Sequence, residues 1–240
     1  MEAVSLDKDL QVEASYKQII RSALPISFAI LIPQINYITN NIFLGHYEPE
    51  AMAVAGITGV YYLIFASIGF GLNNGLQTLI ARRAGENRPD EIGRIFNQAV
   101  MIGLVIAVIG ILITWTVAPY VFSLFIDPAR LEEAITFSKI RIWGLIFLYV
   151  FQMRNALLVG TNQSRYLASG ALAEATANIL FDWLLINGVW IFPEMGLNGA
   201  AVASIIAEFT GMFAIYLVIH YKGIGKRFQL FRNFRPDKKT

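Results

Sequence analysis

Six apolar stretches recur along the chain, at roughly 19–44, 53–80, 95–122, 134–160, 167–192 and 197–221, each interrupted or bounded by charges, Gly or Pro. About 20 mainly apolar residues suffice for a helix to cross a bilayer, so all six are long enough to span with some tilt. The strands of a membrane barrel would be about 10 residues long and would alternate polar with apolar, which this pattern does not do. The pattern predicts an all-α membrane protein, a six-helix transmembrane bundle. Composition agrees: 56% of residues are hydrophobic and 15% charged, and the mean hydropathy of +0.55 is too apolar for a water-soluble domain of this size.

The expected organisation is an N-terminal tail over 1–18, a membrane lobe over 19–221 and a basic linker or tail over 222–240. The first residues mix acids and bases and lack the basic start, short apolar run and cleavage site of a signal peptide. Of the nineteen Lys and Arg, all but Arg130, Lys139 and Arg141 fall on the side of the N-terminus in a six-span topology. The positive-inside rule therefore places both termini in the cytoplasm; the expected location is the plasma (inner) membrane. The segment "YKGIGKRFQLFRNFRPDKKT" is basic with interleaved Phe; directly after a span it reads as lying on anionic lipid headgroups, not as a nucleic-acid site.

Polar groups inside the apolar stretches carry the chemistry. A charged side chain at the bilayer centre costs about 2.5 to 3.5 kcal/mol on insertion scales, and Glu174, Asp182 and Glu208 face that cost. Glu174, Asn178 and Asp182 are spaced i, i+4, i+8, so they form a stripe on one helix face that belongs in the bundle interior. The bland reading is interhelical hydrogen bonding, and for Glu174 and Glu208 a place near helix ends where water reaches them. For Asp182 the functional reading leads: a desolvated carboxylate can exchange a proton, or hold Na+ with nearby amide oxygens, Asn178 acting as orienting ligand. In the first stretch Pro25 and Pro33 each remove a backbone donor, while Gln34, Asn36, Thr39, Asn40 and Asn41 add polar groups. A broken, polar helix is tolerated in lipid where it lines a cavity.

Enzymatic readings find no support. His46 and His220 fall near opposite membrane faces, there is no Cys for thiolate chemistry, and "GFGLNNG" at 69–75 lacks a P-loop Lys and is better explained by helix packing. No cofactor is expected beyond a coupling ion.

With these residues in hand, the chain resembles the multidrug and toxic compound extrusion (MATE) transporters over almost its whole length. "ALPISF" resembles the start of that family's first helix, and "NNIFLGHYEPEAMAVAGI" its Asp-Thr-x-Phe-x-Gly stretch. "GLNNGLQTLIARRAGENRPDE" is similar to the end of the second helix, "NALLVGTNQSRY" to the end of the fourth and "NGAAVAS" to the start of the sixth. "ANILFDWLLINGV" resembles the fifth-helix Asn-x-x-x-Asp of the family's N-lobe cation site. The resemblance implies that Asn178 and Asp182 bind H+ or Na+, with Ser204 where the family often has Thr, and Glu174 as an accessory charge. It implies an antiporter exporting small organic, often cationic compounds from a cavity to which Gln34, Asn36, Tyr37 and Asn155 would contribute, with helix bends at Pro25 and Pro33.

Two departures stand out. Asn40 occupies the position of the family's first-helix Asp, which leaves Asp182 as the main charge carrier and favours a proton over Na+. The chain also resembles only one of two six-helix lobes. The expected partner is therefore a missing second lobe or a second copy, the first favoured because the linker-like end lacks a closing helix. Alternatives to efflux are a flippase of lipid-linked precursors, which would need a basic cavity, and a membrane assembly module that does not transport.

Overall fold

The computed structural model describes residues 16–230, without the side chains of residues 17, 18, 21, 22, 29, 30, 33 and 34. The described residues form eight α-helices: α1 (Tyr16–Tyr47), α2 (Pro49–Gly85), α3 (Pro89–Phe122), α4 (Leu131–Arg141), α5 (Gly144–Gly160), α6 (Leu167–Ile186), α7 (Gly196–Tyr221) and α8 (Ile224–Arg227). A 3-10 turn, Ser164–Tyr166, precedes α6. Each predicted apolar stretch is helical over most of its length, and no strand occurs among the described residues.

Local chemistry sets several boundaries. Pro49 and Pro89 open α2 and α3, where the missing N–H is no loss and the fixed φ suits a first turn. Glu50, Asp90 and Glu91 sit in those first turns, and Arg82 and Arg83 in the last turn of α2, each complementing the helix dipole. Arg83 ties the α2–α3 turn by pairing with Glu86 (2.5 Å) and Glu91 (2.9 Å). Asn87 takes the left-handed conformation there (φ 55°), which Asn tolerates better than most residues.

Three expectations about the spans need correction. The stretch at 134–160 is two helices, α4 and α5, bent by 41° at a short break. The stretch at 167–192 stops being helical at Ile186, and Gly188 (φ 63°) turns the chain into the loop before α7. The first stretch, expected to be broken, is the single element α1, running through Pro25 and Pro33. Among the described residues α2, α3 and α7 are long and apolar enough to cross a membrane by themselves, and the bent α4–α5 pair counts as a fourth span. The polar stripe on α6 lowers its apolar character, so its place in the bundle rests on packing.

α6 and α7 form an antiparallel pair that packs backbone to backbone. A Cβ at Gly199 would lie 2.6 Å from the Leu185 carbonyl oxygen, and one at Gly211 would lie 3.0 Å from the Glu174 Cβ. α1 packs along α6, while α2 and α3 pack on α5. At the end where α1 begins and α7 stops the core contains Ile80, Ile92, Phe96, Met153 and Leu157, all completely buried. The opposite end centres on Leu44, Phe122, Phe137, Ile186 and Ala201. Between them Tyr149 lies on Gly69, where a Cβ would come within 2.7 Å of its ring, and donates to the Phe65 carbonyl (2.7 Å). Packing thus explains Gly69 of the "GFGLNNG" run, whereas Gly71 and Gly75 face open space. The basic segment also departs from a pure surface strip: Phe228 and Leu230 are buried in the core at the end where α1 begins, and the Phe228 carbonyl lies against Gly93. Lys222 and Lys226 stay exposed.

Candidate cation site

The predicted stripe on α6 faces inward. Asp182 is completely buried, Asn178 is 2% exposed and Glu174 9%. The helical spacing puts all three on one side of α6; Glu174 lies against Gly211 of α7, and Asn178 and Asp182 face Asn40 of α1.

Four of the predicted residues meet at one place. Asn40 projects from α1 between Asp182 and Asn178 on one side and Ser204 of α7 on the other. With its amide nitrogen turned to α6, it donates to Asp182 Oδ1 (3.2 Å), to the closely placed Asp182 Oδ2 and to Asn178 Oδ1 (3.1 Å). With the amide reversed, Nδ2 instead reaches Ser204 Oγ at 3.5 Å. A neutral amide thus bridges three helices at the position where the resemblance leads one to expect an acid. Glu174 stands apart, two turns along α6 and packed on Gly211, and among the described residues no hydrogen bond joins it to the other four.

A second buried polar cluster lies nearby. Glu208 sits one turn from Ser204 on the same face of α7 and is 5% exposed, in the interior and not at a helix end. Arg141, the last residue of α4, grips it with both terminal nitrogens (2.6 and 3.1 Å). The Tyr62 hydroxyl from α2 donates to the same carboxylate (2.9 Å), and the guanidinium stacks 3.8 Å from the Tyr62 ring centre. Glu174 is likewise buried, so the water-exposed reading of both acids is corrected. Arg141, counted as a surface charge in the topology, is a half-buried partner of Glu208. Arg154, also counted at a surface, is buried and donates to the Met212 carbonyl (2.6 Å). No local sequence signal marks Arg141 as paired in the interior, since it falls near the start of the stretch at 134–160, where a charge is read as meeting water at the membrane face. Glu208 was legible only as an acid in an apolar run.

The cavity residues scatter. Asn36 is buried with its Oδ1 unpartnered, and the Oδ1 of half-buried Asn155 is unpartnered as well, whereas Tyr37 is 56% exposed. The side chains of Gln34 and Pro33 lie outside the described residues, and Pro25 is half-buried on α1. Among the described residues no group of three or more His, Asp or Glu is placed to hold a metal ion. His46 and His220 end α1 and α7 at opposite ends of the bundle.

With this geometry established, comparison with known proteins identifies the relationship. A family model described as MatE matches residues 25–184, more than half of the chain. The chain belongs to the MatE family. A probable multidrug resistance protein NorM from Synechocystis is 26% identical over 219 residues, covering 91% of this chain and 47% of its own. A protein described in the same words from Thermotoga maritima is 24% identical, covering 92% of this chain and 47% of its own. A solved structure titled as the outward-facing conformation of a multidrug resistance MATE family transporter superposes with a TM-score of 0.84 at 17% identity, over 100% of this chain and 52% of that one. The MatE chain described here therefore spans about half the length of these relatives, and it has the fold of one half of that structure. Its apolar helices make it an integral membrane protein.

Proposed function

We propose that this MatE chain forms the ion-coupling lobe of a secondary multidrug efflux transporter, in which cation entry drives export of small organic compounds. The observation that carries the reading is Asp182: a completely buried carboxylate in a membrane bundle, surrounded by amides and a hydroxyl. Such a group is costly to keep for packing alone and is suited to taking up and releasing a cation. The ion is a proton. The Asn40 N–H donors already stand between the oxygens of Asp182 and Asn178, the space a Na+ would share, and one carboxylate alone holds a hard cation weakly.

The complete transporter contains a second six-helix lobe, supplied by further chain or by a second copy, with the substrate cavity between lobes. Both termini lie in the cytoplasm and the membrane is the plasma (inner) membrane, in keeping with the distribution of Lys and Arg. Alternating access then follows from movement of one lobe against the other around a site near the midplane. The flippase reading loses ground: the interior arginines Arg141 and Arg154 are both committed, to Glu208 and to the Met212 carbonyl, and so are not available for a phosphate headgroup.

The test is carbodiimide labelling of Asp182, followed by mass spectrometry with the chain in lipid. The reagent attacks protonated carboxyls, so labelling should fall as pH rises, and a cationic dye should protect the residue while Na+ should not. Labelling that responds to neither pH nor dye would reduce Asp182 to a packing residue.

A further inference from the structure

We infer that the Asn40 amide is a protonation-coupled switch: it reverses when Asp182 gains or loses a proton and passes that change to α7 through the Ser204 hydroxyl. The inference rests on Asp182 as the ion site.

An amide has a donor end and an acceptor end, and Asn40 stands between one group that changes its hydrogen-bonding character and one that can adapt to either. Ionised Asp182 only accepts, so it draws the Asn40 nitrogen, which also reaches Asn178 Oδ1 at 3.1 Å. The Asn40 carbonyl oxygen then faces Ser204 and accepts its hydroxyl proton. Protonated Asp182 is a donor. Its hydroxyl calls for the Asn40 carbonyl oxygen, the amide turns over, and Nδ2 donates to Ser204 Oγ, the 3.5 Å contact. The terminal torsion of Asn is broad and roughly two-fold, so both orientations are accessible without strain in the side chain.

The consequence lies on α7. In the second state Ser204 accepts from Asn40, and its hydroxyl proton is free to bond the Ala200 carbonyl one turn back. Such back-bonding bends helices. No covalent bond changes apart from the O–H of Asp182, and the proton is the only atom that enters or leaves. A carboxylate at position 40 could not perform this reversal, because its two oxygens are alike; the asymmetry of the amide supplies the direction.

The charged and titratable neighbours leave this exchange to Asp182. From α1 the neighbour is the neutral Asn40. On α6 Glu174 is two turns away, on α7 Glu208 is one turn below Ser204, and Glu208 is bound by Arg141 of α4 and Tyr62 of α2. Arg141, the nearby cation of this interior, is paired with the Glu208 carboxylate.

Infrared difference spectroscopy of the full chain in lipid, between acidic and alkaline buffer, tests the switch. The asparagines are labelled with carbon-13 at the side-chain carbonyl, and Asp182→Asn assigns the carboxyl band. A labelled amide band should shift together with that carboxyl band. The shift should be lost in Asn40→Leu, reduced in Ser204→Ala and restored in Ser204→Thr. An Asp182 carboxyl band with no accompanying amide shift would overturn the switch and leave the ion site standing. If no carboxyl band disappears in Asp182→Asn, the ion-site reading fails and the switch with it. Where Asp182→Asn folds poorly, carbon-13 on the aspartate side-chain carboxyls of the wild-type chain identifies the band instead, Asp182 being the one Asp within the predicted apolar stretches.

Discussion

At the scale of residues, the interior divides its charges between one closed pair and one open site. Glu208 and Arg141 satisfy each other, with Tyr62 completing the carboxylate's bonds. Removing one partner strands the other in a low-dielectric interior, so Glu208→Leu should destabilise the chain by about 3–5 kcal/mol, whereas Glu208→Leu combined with Arg141→Leu should cost much less. Unfolding in mixed micelles measures this, and a double variant worse than the single one would mean that the pair does more than neutralise charge. At the open site, Asn40→Asp adds a second carboxylate beside Asp182, and the carbodiimide labelling of Asp182 should then become sensitive to Na+. Labelling still indifferent to Na+ would show that charge count does not select the ion here. The sequence made Asp182, Asn178 and Glu174 visible because helical periodicity and the cost of an acid in lipid are both local facts. The pairing of Glu208 with Arg141 was not visible, because it joins positions 67 residues apart. Asn40 could be seen as a substitution within a resemblance; its bridge to three helices emerged only from packing.

At the scale of elements, glycines decide how near the helices come, and the site depends on the nearest pair. α6 and α7 meet where Gly199 lies under the Leu185 carbonyl, close to the turn carrying Asp182 and Ser204. Gly199→Ala should push α7 outward and cost about 1–3 kcal/mol, as overpacking does. Gly71→Ala meets open space on α2 and should be neutral, or stabilise by up to about 1 kcal/mol through helix propensity. The comparison is read from thermal unfolding of both variants, and equal effects would refute close packing as the reason for Gly199. The α4–α5 break has a related cause that the hydropathy pattern could not express. No Pro marks it, and the break itself, Ile142 and Trp143, is apolar, so 134–160 reads as one span. The bend brings Gly144 against the Glu208 carboxylate and the Arg141 guanidinium, leaving no room for a Cβ. An ion pair at the joint accompanies the bend, and Gly144 makes the room for it.

At the scale of the molecule, hydropathy placed all six apolar stretches in helices, and the resemblance supplied the family. How the bundle is fastened at its ends was not legible, because that depends on charges which sequence reading treats as loop surface. At the end where α1 meets α2, Arg130, just before α4, donates to Glu48 and Glu50 at the α1–α2 junction and to Glu133 of α4, the last two at 3.0 Å. Tyr47, the last residue of α1, lies on Gly196 at the start of α7. These contacts tie the ends of α1, α2, α4 and α7 where solvent reaches them. The hydrogen bond from Arg130 holds the Glu48 carboxyl below its ordinary value of 4.5. A carboxylate lowered by folding stabilises the folded state above its unfolded value, and that contribution is lost as pH falls through the lowered folded value. The tie should therefore be intact at neutral pH and released only in acid, below the ordinary carboxylate range, without involving the buried site. Glu48→Gln cannot ionise, so between about pH 7 and about pH 3.5 it should lose less thermal stability than the parent chain. The parent should also lose hydrogen-exchange protection at the start of α2 over the same interval, while the variant begins with less protection and changes little. Identical acid profiles for the two chains would show that the Arg130 contacts are surface pairs without consequence, and that packing alone closes this end of the lobe.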